Sequence, residues 1–290
     1  MGLRMKFNLV LLAALGIGLA LAAVLSYRIM QDNAREEVLA KARIMMESAL
    51  ALRSYTTQEI RPLLVGQMNE RFLPHIVPSY AAQTNFRMLR ERFQEYTYKE
   101  AALNPTNLAD RASDWEADII HTFRNNSALD EWVSERTTPT GQSLVLARPL
   151  RVNDQSCLLC HGSAENAPAT MVAIYGDRNG FGWEMDETIG AQVVSVPMSV
   201  PLDRAWNTFV MFMGTLFGVF LLIAVLLNVM LQYVVIKPVM RISQMASEVS
   251  MGNLDVPEYE RTGRDEIASL SSSFNRMRRS LESAMRMLNE

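Results

Sequence analysis

Ser143-Leu144-Val145-Leu146-Ala147-Arg148-Pro149-Leu150-Arg151-Val152 reads as a strand. It runs through the polar turn Asn153-Asp154-Gln155 into Cys157-Leu158-Leu159-Cys160-His161. A C-x-x-C-H run is the attachment signature of a c-type haem. Both thiols bond covalently to the haem vinyl groups, and the adjacent histidine is the proximal ligand of the iron. The chain has two cysteines, both here, and three histidines. The motif therefore uses most of its thiol and imidazole chemistry.

Other uses of C-x-x-C fit less well. A thioredoxin-like dithiol belongs at a strand-to-helix start within a βαβ pattern, and no such pattern surrounds this one. Structural zinc takes four protein ligands; Cys157, Cys160 and His161 supply three, crowded together. A simple disulfide leaves His161 unexplained. The reading taken is covalent haem c on Cys157, Cys160 and His161, with His161 on the iron.

The formal charge of -3 and the hydrophobic content of 49% say little in bulk, because the apolar residues are unevenly placed. Leu9 to Leu25 and Phe209 to Val229 carry no charged residue. Each run is close to the ~20 residues that cross a bilayer. Trp206 and Tyr233 stand where interfacial anchors stand. The first run is either a cleaved signal peptide or an anchor. The helical pattern continuing through Met30 to Leu52 favours the anchor. Arg4 and Lys6 before the first run, and Lys237 and Arg241 after the second, put both ends in the cytoplasm.

The expected organisation is a cytoplasmic N-terminus at 1–6, a transmembrane helix at 7–27 and a periplasmic domain at 28–205. A second transmembrane helix is expected at 206–236, then a cytoplasmic module at 237–290. Such a chain is a two-pass protein of a bacterial inner membrane, with haem attachment on its outer side.

Within the outer domain, Val38, Ala42, Met45, Ala49 and Leu52 recur at helical spacing. Pro62, Pro74 and Pro78 then break the chain into short pieces. Tyr80 to Tyr98 reads as a helix, and Asn104-Pro105-Thr106-Asn107 as a turn. Ser113-Asp114-Trp115-Glu116 reads as a capping box opening a helix through Arg124. Ser143–Val152, Thr170–Tyr175 and Ile189–Val200 read as strands. Gly176 to Trp183 is a glycine-rich turn. Helices followed by an antiparallel sheet make the fold class α+β.

Beyond Ile236, Pro238 stands where a helix starts and Gly252-Asn253 ends it. Val256-Pro257 is a connector, and Asp265-Glu266 open a second helix. Ile267, Leu270, Phe274, Met277, Leu281, Ala284 and Leu288 alternate three and four residues apart. Such a stripe needs a partner helix, so a dimeric four-helix bundle is expected. Gly214 and Gly218 form a small-xxx-small motif, of a kind also common by chance, and Asn228 and Gln232, one turn apart, either bond across a dimer or mark the approach to the membrane interface.

Two resemblances emerge from these residues. Residues 237–288 resemble a HAMP domain through Pro238, Gly252 and Asp265-Glu266; the resemblance implies a dimeric relay from a membrane helix to a cytoplasmic output. Residues from about Thr56 to Pro201 resemble the DUF3365, or Tll0287-like, haem-sensor family. This rests on Tyr98 to Asn107, Trp115-Glu116, Ala147-Arg148-Pro149 and Cys157 to Gly162. It also rests on Ala167-Pro168, Tyr175-Gly176, Gly180 to Trp183 and Gly190 to Pro197. The resemblance implies a PAS-like sheet with covalent haem near its face. The distal cysteine of some members has no counterpart, since both cysteines lie in the motif.

The ligand opposite His161 stays open. His75, between Pro74 and Pro78, and His121, on a helix, are the candidates with the methionines Met45, Met46, Met68, Met171, Met185 and Met198. Packing or surface roles are the alternative for each. Arg61, Arg148, Lys99 and Arg151 are candidate partners of the haem propionates. Tyr175, Phe181 and Trp183 would pack on the porphyrin or in the core.

The function expected is a haem-based sensor. It would detect redox state or a diatomic gas and signal through HAMP to a separate cytoplasmic effector. The alternative is a membrane-anchored c-type cytochrome for electron transfer. The heptad-patterned module favours the sensor. No P-loop, catalytic triad or nucleic-acid stripe is present, and the chain ends soon after its last helix. An enzyme or a nucleic-acid partner is therefore not expected.

Overall fold

The computed structural model describes residues 2–139 and 141–289, with side chains to residue 287. The chain divides into two compact units, one of residues 27–208 and one of residues 1–26 with 209–290.

The first unit is built on a four-stranded antiparallel sheet. Its strands are β1 (Thr97–Ala102), β2 (Trp132–Thr138), β3 (Gly141–Arg151) and β4 (Thr188–Pro197), in the order β1-β4-β3-β2. In β3 and β4 successive side chains point to opposite faces. Leu144, Leu146, Val194 and Val196 pack with Val38, Ala42, Met46 and Ala49 of α1 (Leu3–Tyr55). Ala82 and Phe86 of α3 (Pro78–Arg90) join the same cluster. The other face sets Val145, Ala147, Ala191 and Val193 against Ile119, Ile120 and Phe123 of α4 (Asp114–Asn125). β4 is covered on both faces, which explains its nearly continuous burial.

The expected capping box is present. Glu116 accepts from the Ser113 backbone N–H and hydroxyl, both at 2.8 Å. The expected break at Pro62 is not. α1 passes through a π-helical turn at Thr56–Ile60 into α2 (Arg61–Leu64) and a 3-10 turn at Val65–Asn69. Proline lacks an N–H, and its ring crowds the carbonyl four residues back. Widening the turn before it lets the helix continue.

Two further expectations are corrected. The helix expected over Tyr80–Tyr98 stops at Arg90, and β1 begins at Thr97. The strand expected over Thr170–Tyr175 is α6 (Ala169–Tyr175). The Pro168 carbonyl accepts from the N–H groups of Met171 and Val172, so the segment closes a helical turn through local bonds. β2 has no counterpart among the expected strands. The chain segment bearing Cys157 to His161 joins β3 to β4, as expected.

The second unit holds two helical segments long and apolar enough to cross a membrane, by length and composition. One lies in α1, the other in α7 (Ser199–Met230), which continues through a π-helical turn at Leu231–Ile236. α8 (Lys237–Ser250) and α9 (Glu266–Asn289) complete the unit. Pro238 stands in the first turn of α8. The Asp265 carboxylate accepts from the Ala268 N–H at 2.7 Å and caps α9. Ile242, Met245, Val249, Val256 and Phe274 form a small core. The connector is held along α9 by side chains. Ser271 and Asn275 donate to the Tyr259 carbonyl, and Arg278 to those of Leu254 and Val256. Leu270, Met277 and Leu281 of the apolar stripe are exposed. The Leu288 side chain lies outside the described residues.

Candidate functional site

A cavity of about 1400 Å³ lies in the first unit, and Cys157, Cys160 and His161 all line it. Local chemistry puts them there. The Asp154 carboxylate accepts from the Ser156 N–H at 2.8 Å and starts a 3-10 turn, Gln155–Cys157. This winds directly into α5 (Leu158–His161). Residues three and four apart share a helix face, so Cys157 meets Cys160 and His161 on one side. Both thiols are free. Burial raises both thiol pKa values, Asp154 adding to the effect at Cys157 and Arg61 opposing it at both. They are therefore thiols, not thiolates, near neutral pH. Among the described residues no group of three or more His, Cys, Asp or Glu side chains could hold a metal ion.

The glycine-rich turn folds back over the motif. The N–H groups of Gly182 and Trp183 donate to the carbonyls of Gly162 and His161. The Trp183 ring stacks on His161, centroids 3.9 Å apart and planes 13° from parallel. His161 Nδ1 is 2.8 Å from the Gly180 carbonyl and 3.3 Å from the Thr106 hydroxyl. A carbonyl only accepts, so Nδ1 carries the hydrogen and Nε2 keeps its lone pair. Burial lowers the His161 pKa, helped by Arg61 and opposed by the Gly180 hydrogen bond. The imidazole is thus neutral, oriented and free at Nε2, the form that ligates a metal.

Gly180 has φ +81°, and a Cβ there would lie 1.9 Å from the Thr106 hydroxyl oxygen and 2.7 Å from its backbone. Gly180→Ala would incur the left-handed penalty of ~1–2 kcal/mol and also displace the turn from His161. We expect it to lower the thermal stability of the first unit by more than Gly176→Ala does. Gly176 shares the strained backbone, φ +79°, but has open space beside it. Equal losses in thermal unfolding would show that the Thr106 contact is unimportant.

The other predicted residues divide. Tyr175 and Trp183 line the cavity, with Tyr175 edge-on to Phe72; Phe181 is half-buried and does not line it. Arg61 lines it and donates to the Ser156 hydroxyl and carbonyl. Lys99 and Arg151 also line it, with Lys99 paired to Glu116 and Arg151 to Asp130. Arg148 is not brought there. It points to the α1 face of the sheet and pairs with Glu47 and Glu131.

Neither His75 nor His121 is brought to the cavity, and both are exposed. In the short turn at Pro74–Ile76 the buried place goes to Ile76, leaving His75 beside Tyr80. On α4, Ile119, Ile120 and Phe123 take the inner face and turn His121 outward. Of the methionines, Met68 and Met171 line the cavity. Met45, Met46 and Met198 are packed in the core, and Met185 is exposed.

One group on the cavity wall is absent from the sequence expectations. Arg53 of α1 bonds to the buried Glu100 of β1. Glu100 also accepts from the Tyr98 hydroxyl at 2.7 Å, which in turn accepts from Gln192 at 3.0 Å. Burial and the Glu100 charge push the Tyr98 pKa up, so its hydroxyl stays a donor. Burial opposes the Arg53 charge, but Glu100, Tyr98 and Cys157 together raise the guanidinium pKa. The sequence signal is a glutamate alternating with Tyr98 and Ala102, hidden by reading the segment's start as helix.

The class is thus an α+β domain with a cavity beside a Cys-x-x-Cys-His turn, followed by two connected amphipathic helices. The chain belongs to the Tll0287-like family, whose profile matches residues 31–197, and a HAMP domain profile matches residues 230–283. It is 30% identical over 107 residues to the Heme sensor protein HssS of two strains of Staphylococcus epidermidis. The match covers 35% of this chain and 24% of each relative, so the chain spans about a quarter of their length. The crystal structure of the cyanobacterial heme-protein Tll0287 aligns with a TM-score of 0.42 and 16% identity. That alignment covers 56% of this chain and 95% of the solved one.

Proposed function

We propose that this protein is a membrane-anchored haem sensor that signals through its HAMP domain to a separate cytoplasmic effector. The observation that carries the reading is the Nδ1–H bond from His161 to the Gly180 carbonyl, beside two free thiols on one cavity wall. It leaves Nε2 as the ligating atom. The cavity exceeds the ~300–1,000 Å³ usual for small-ligand sites, so a macrocycle fits by volume.

In this reading Cys157 and Cys160 would hold the haem through thioethers to its vinyl groups, an addition that keeps the thiol hydrogen in the product and needs no oxidant. His161 would ligate its iron. Trp183 and Gly180 fix its ring, and Tyr175 supplies an aromatic wall. Of the four cations expected as propionate partners, Arg61, Lys99 and Arg151 line the cavity. Met68 and Met171, which line the cavity, would be the thioether candidates for a second ligand. The bound group would supply a redox-active iron whose oxidation state or sixth ligand can change.

The proposed organisation keeps 1–6 cytoplasmic, 7–27 and 206–236 in the membrane, 28–205 periplasmic and 237–290 cytoplasmic. A homodimer would cover the exposed Leu270, Met277 and Leu281.

An optical spectrum of the full chain, produced with haem-maturation machinery, tests this. Oxidised and reduced forms are recorded with and without CO or NO. A spectrum altered by the gases makes a diatomic ligand the signal. A low-spin spectrum unchanged by them makes redox state the signal. A chain without haem sinks the proposal.

A further inference from the structure

The helix beside the cavity is fastened on either side of its π-helical turn. Arg53, Thr57 and Arg61 are four residues apart and all line the cavity. Arg53 is fastened to Glu100 in the sheet. Arg61 is fastened to Ser156, through the hydroxyl at 2.8 Å and the carbonyl at 3.1 Å. Ser156 immediately precedes Cys157. One fastening therefore holds the helix to the rigid floor, the other to the loop that bears the motif.

Between them lies the π-helical turn Thr56–Ile60. The Arg61 N–H closes it by donating to the Thr56 carbonyl, five residues back. The same residue thus closes the turn with its backbone and holds the loop with its side chain. The hydroxyls of Thr56 and Thr57 bond back to the carbonyls of Leu52 and Arg53, which bends and loosens a helix ladder. A π-helical turn contains one residue more than an α-turn. Interconverting the two rotates the helix beyond it by about 100° and shifts that part by about 1.5 Å.

We infer that Arg61 ties the position of the motif loop to the register of this helix, with Thr56–Ile60 as the two-state element between them. The inference rests on the haem reading above. A loop bonded to its cofactor through Cys157 moves with it, and Ser156 moves with the loop. Such a shift would pull on Arg61, the residue whose own N–H closes the π-helical turn. The Arg53 fastening holds the preceding turn still, so the change falls on the π-helical turn.

Amide hydrogen exchange on the full chain in lipid nanodiscs, oxidised with ferricyanide or reduced with dithionite, tests this. In the wild-type chain the amides of residues 57–61 should differ on the order of tenfold between the two states, with β4 unchanged. Arg61→Gln should abolish the difference, and Arg61→Lys should retain part of it. Pro62→Ala, which lets the helix run regularly while keeping Arg61, should also abolish it by protecting these amides in both states. Equal exchange in the two wild-type states, with haem shown by mass on the Cys157–Cys160 peptide, overturns the inference. So does an undiminished difference in Arg61→Gln or Pro62→Ala. Absence of the haem mass from that peptide sinks the underlying reading, and the inference with it.

Discussion

Replacing both Cys157 and Cys160 by serine should leave a folded chain whose covalently bound haem has fallen from near stoichiometric to background. Neither side chain is fully buried, and serine differs by one atom. The cost of the side-chain change itself, compared between haem-free chains, should therefore stay within ~0.5 kcal/mol, as for other substitutions outside the core. The chemical cost is total, because a hydroxyl does not form the thioether. Pigment that stays with the denatured chain in acid is the readout, with far-UV circular dichroism as the folding control. Each single serine variant should keep one thioether and a reduced yield. His161→Ala should keep the covalent pigment and change its spectrum, because attachment and ligation use different atoms. Undiminished acid-stable pigment in the double variant would show that the cysteines are not the attachment points.

The largest expected loss of stability is at Arg53. The Glu100 side chain is 2% exposed. Removing its cation leaves a buried carboxylate with the Tyr98 hydroxyl as its remaining hydrogen-bond donor. Breaking one side of a buried pair typically costs about 3–5 kcal/mol. Arg53 keeps some contact with solvent, so Arg53→Ala belongs near the lower figure. That corresponds to a fall in Tm of roughly 6–12 °C for a domain of this size. Glu100→Gln retains an acceptor for Tyr98 and leaves no buried charge. It should lose less, about 1–2 kcal/mol. Denaturant unfolding of the full chain, followed by tryptophan fluorescence, compares the two. If Arg53→Ala is no worse than Glu100→Gln, the buried ion pair is not what holds α1 to β1.

How much of the molecule is legible in its sequence depends on how local each signal is. The capping box at Ser113, Pro238 opening α8 and the acidic start of α9 are decided within a turn of chain, and they stand as read. The haem motif is also local, and its place between two strands is legible. The positions of Arg148 and the two extra histidines are not, because alternation and burial decide which way a side chain points. Arg148 shares a sheet face with Leu144 and Leu146, so its strand aims it away from the cavity. Pro62 reads as a break, yet a helix can widen by one residue, an adjustment without a compositional mark. Thr170–Tyr175 has strand-like residues, but the bonds from Met171 and Val172 to the Pro168 carbonyl close a helical turn that no residue preference marks. The Arg53–Glu100 contact joins positions 47 residues apart, beyond the reach of any periodicity.

The His161 proton rests on a peptide oxygen rather than on an acidic side chain. A carboxylate in that place would gain a proton in acid and weaken its hold, altering the donor strength of the imidazole. A peptide carbonyl has no such titration, so the electron-giving power of Nε2 is buffered against acidification. No side-chain mutation can delete this oxygen; a mutation can only misaim it. On the proposed haem reading, acidification would not change the strength of the ligand through this bond.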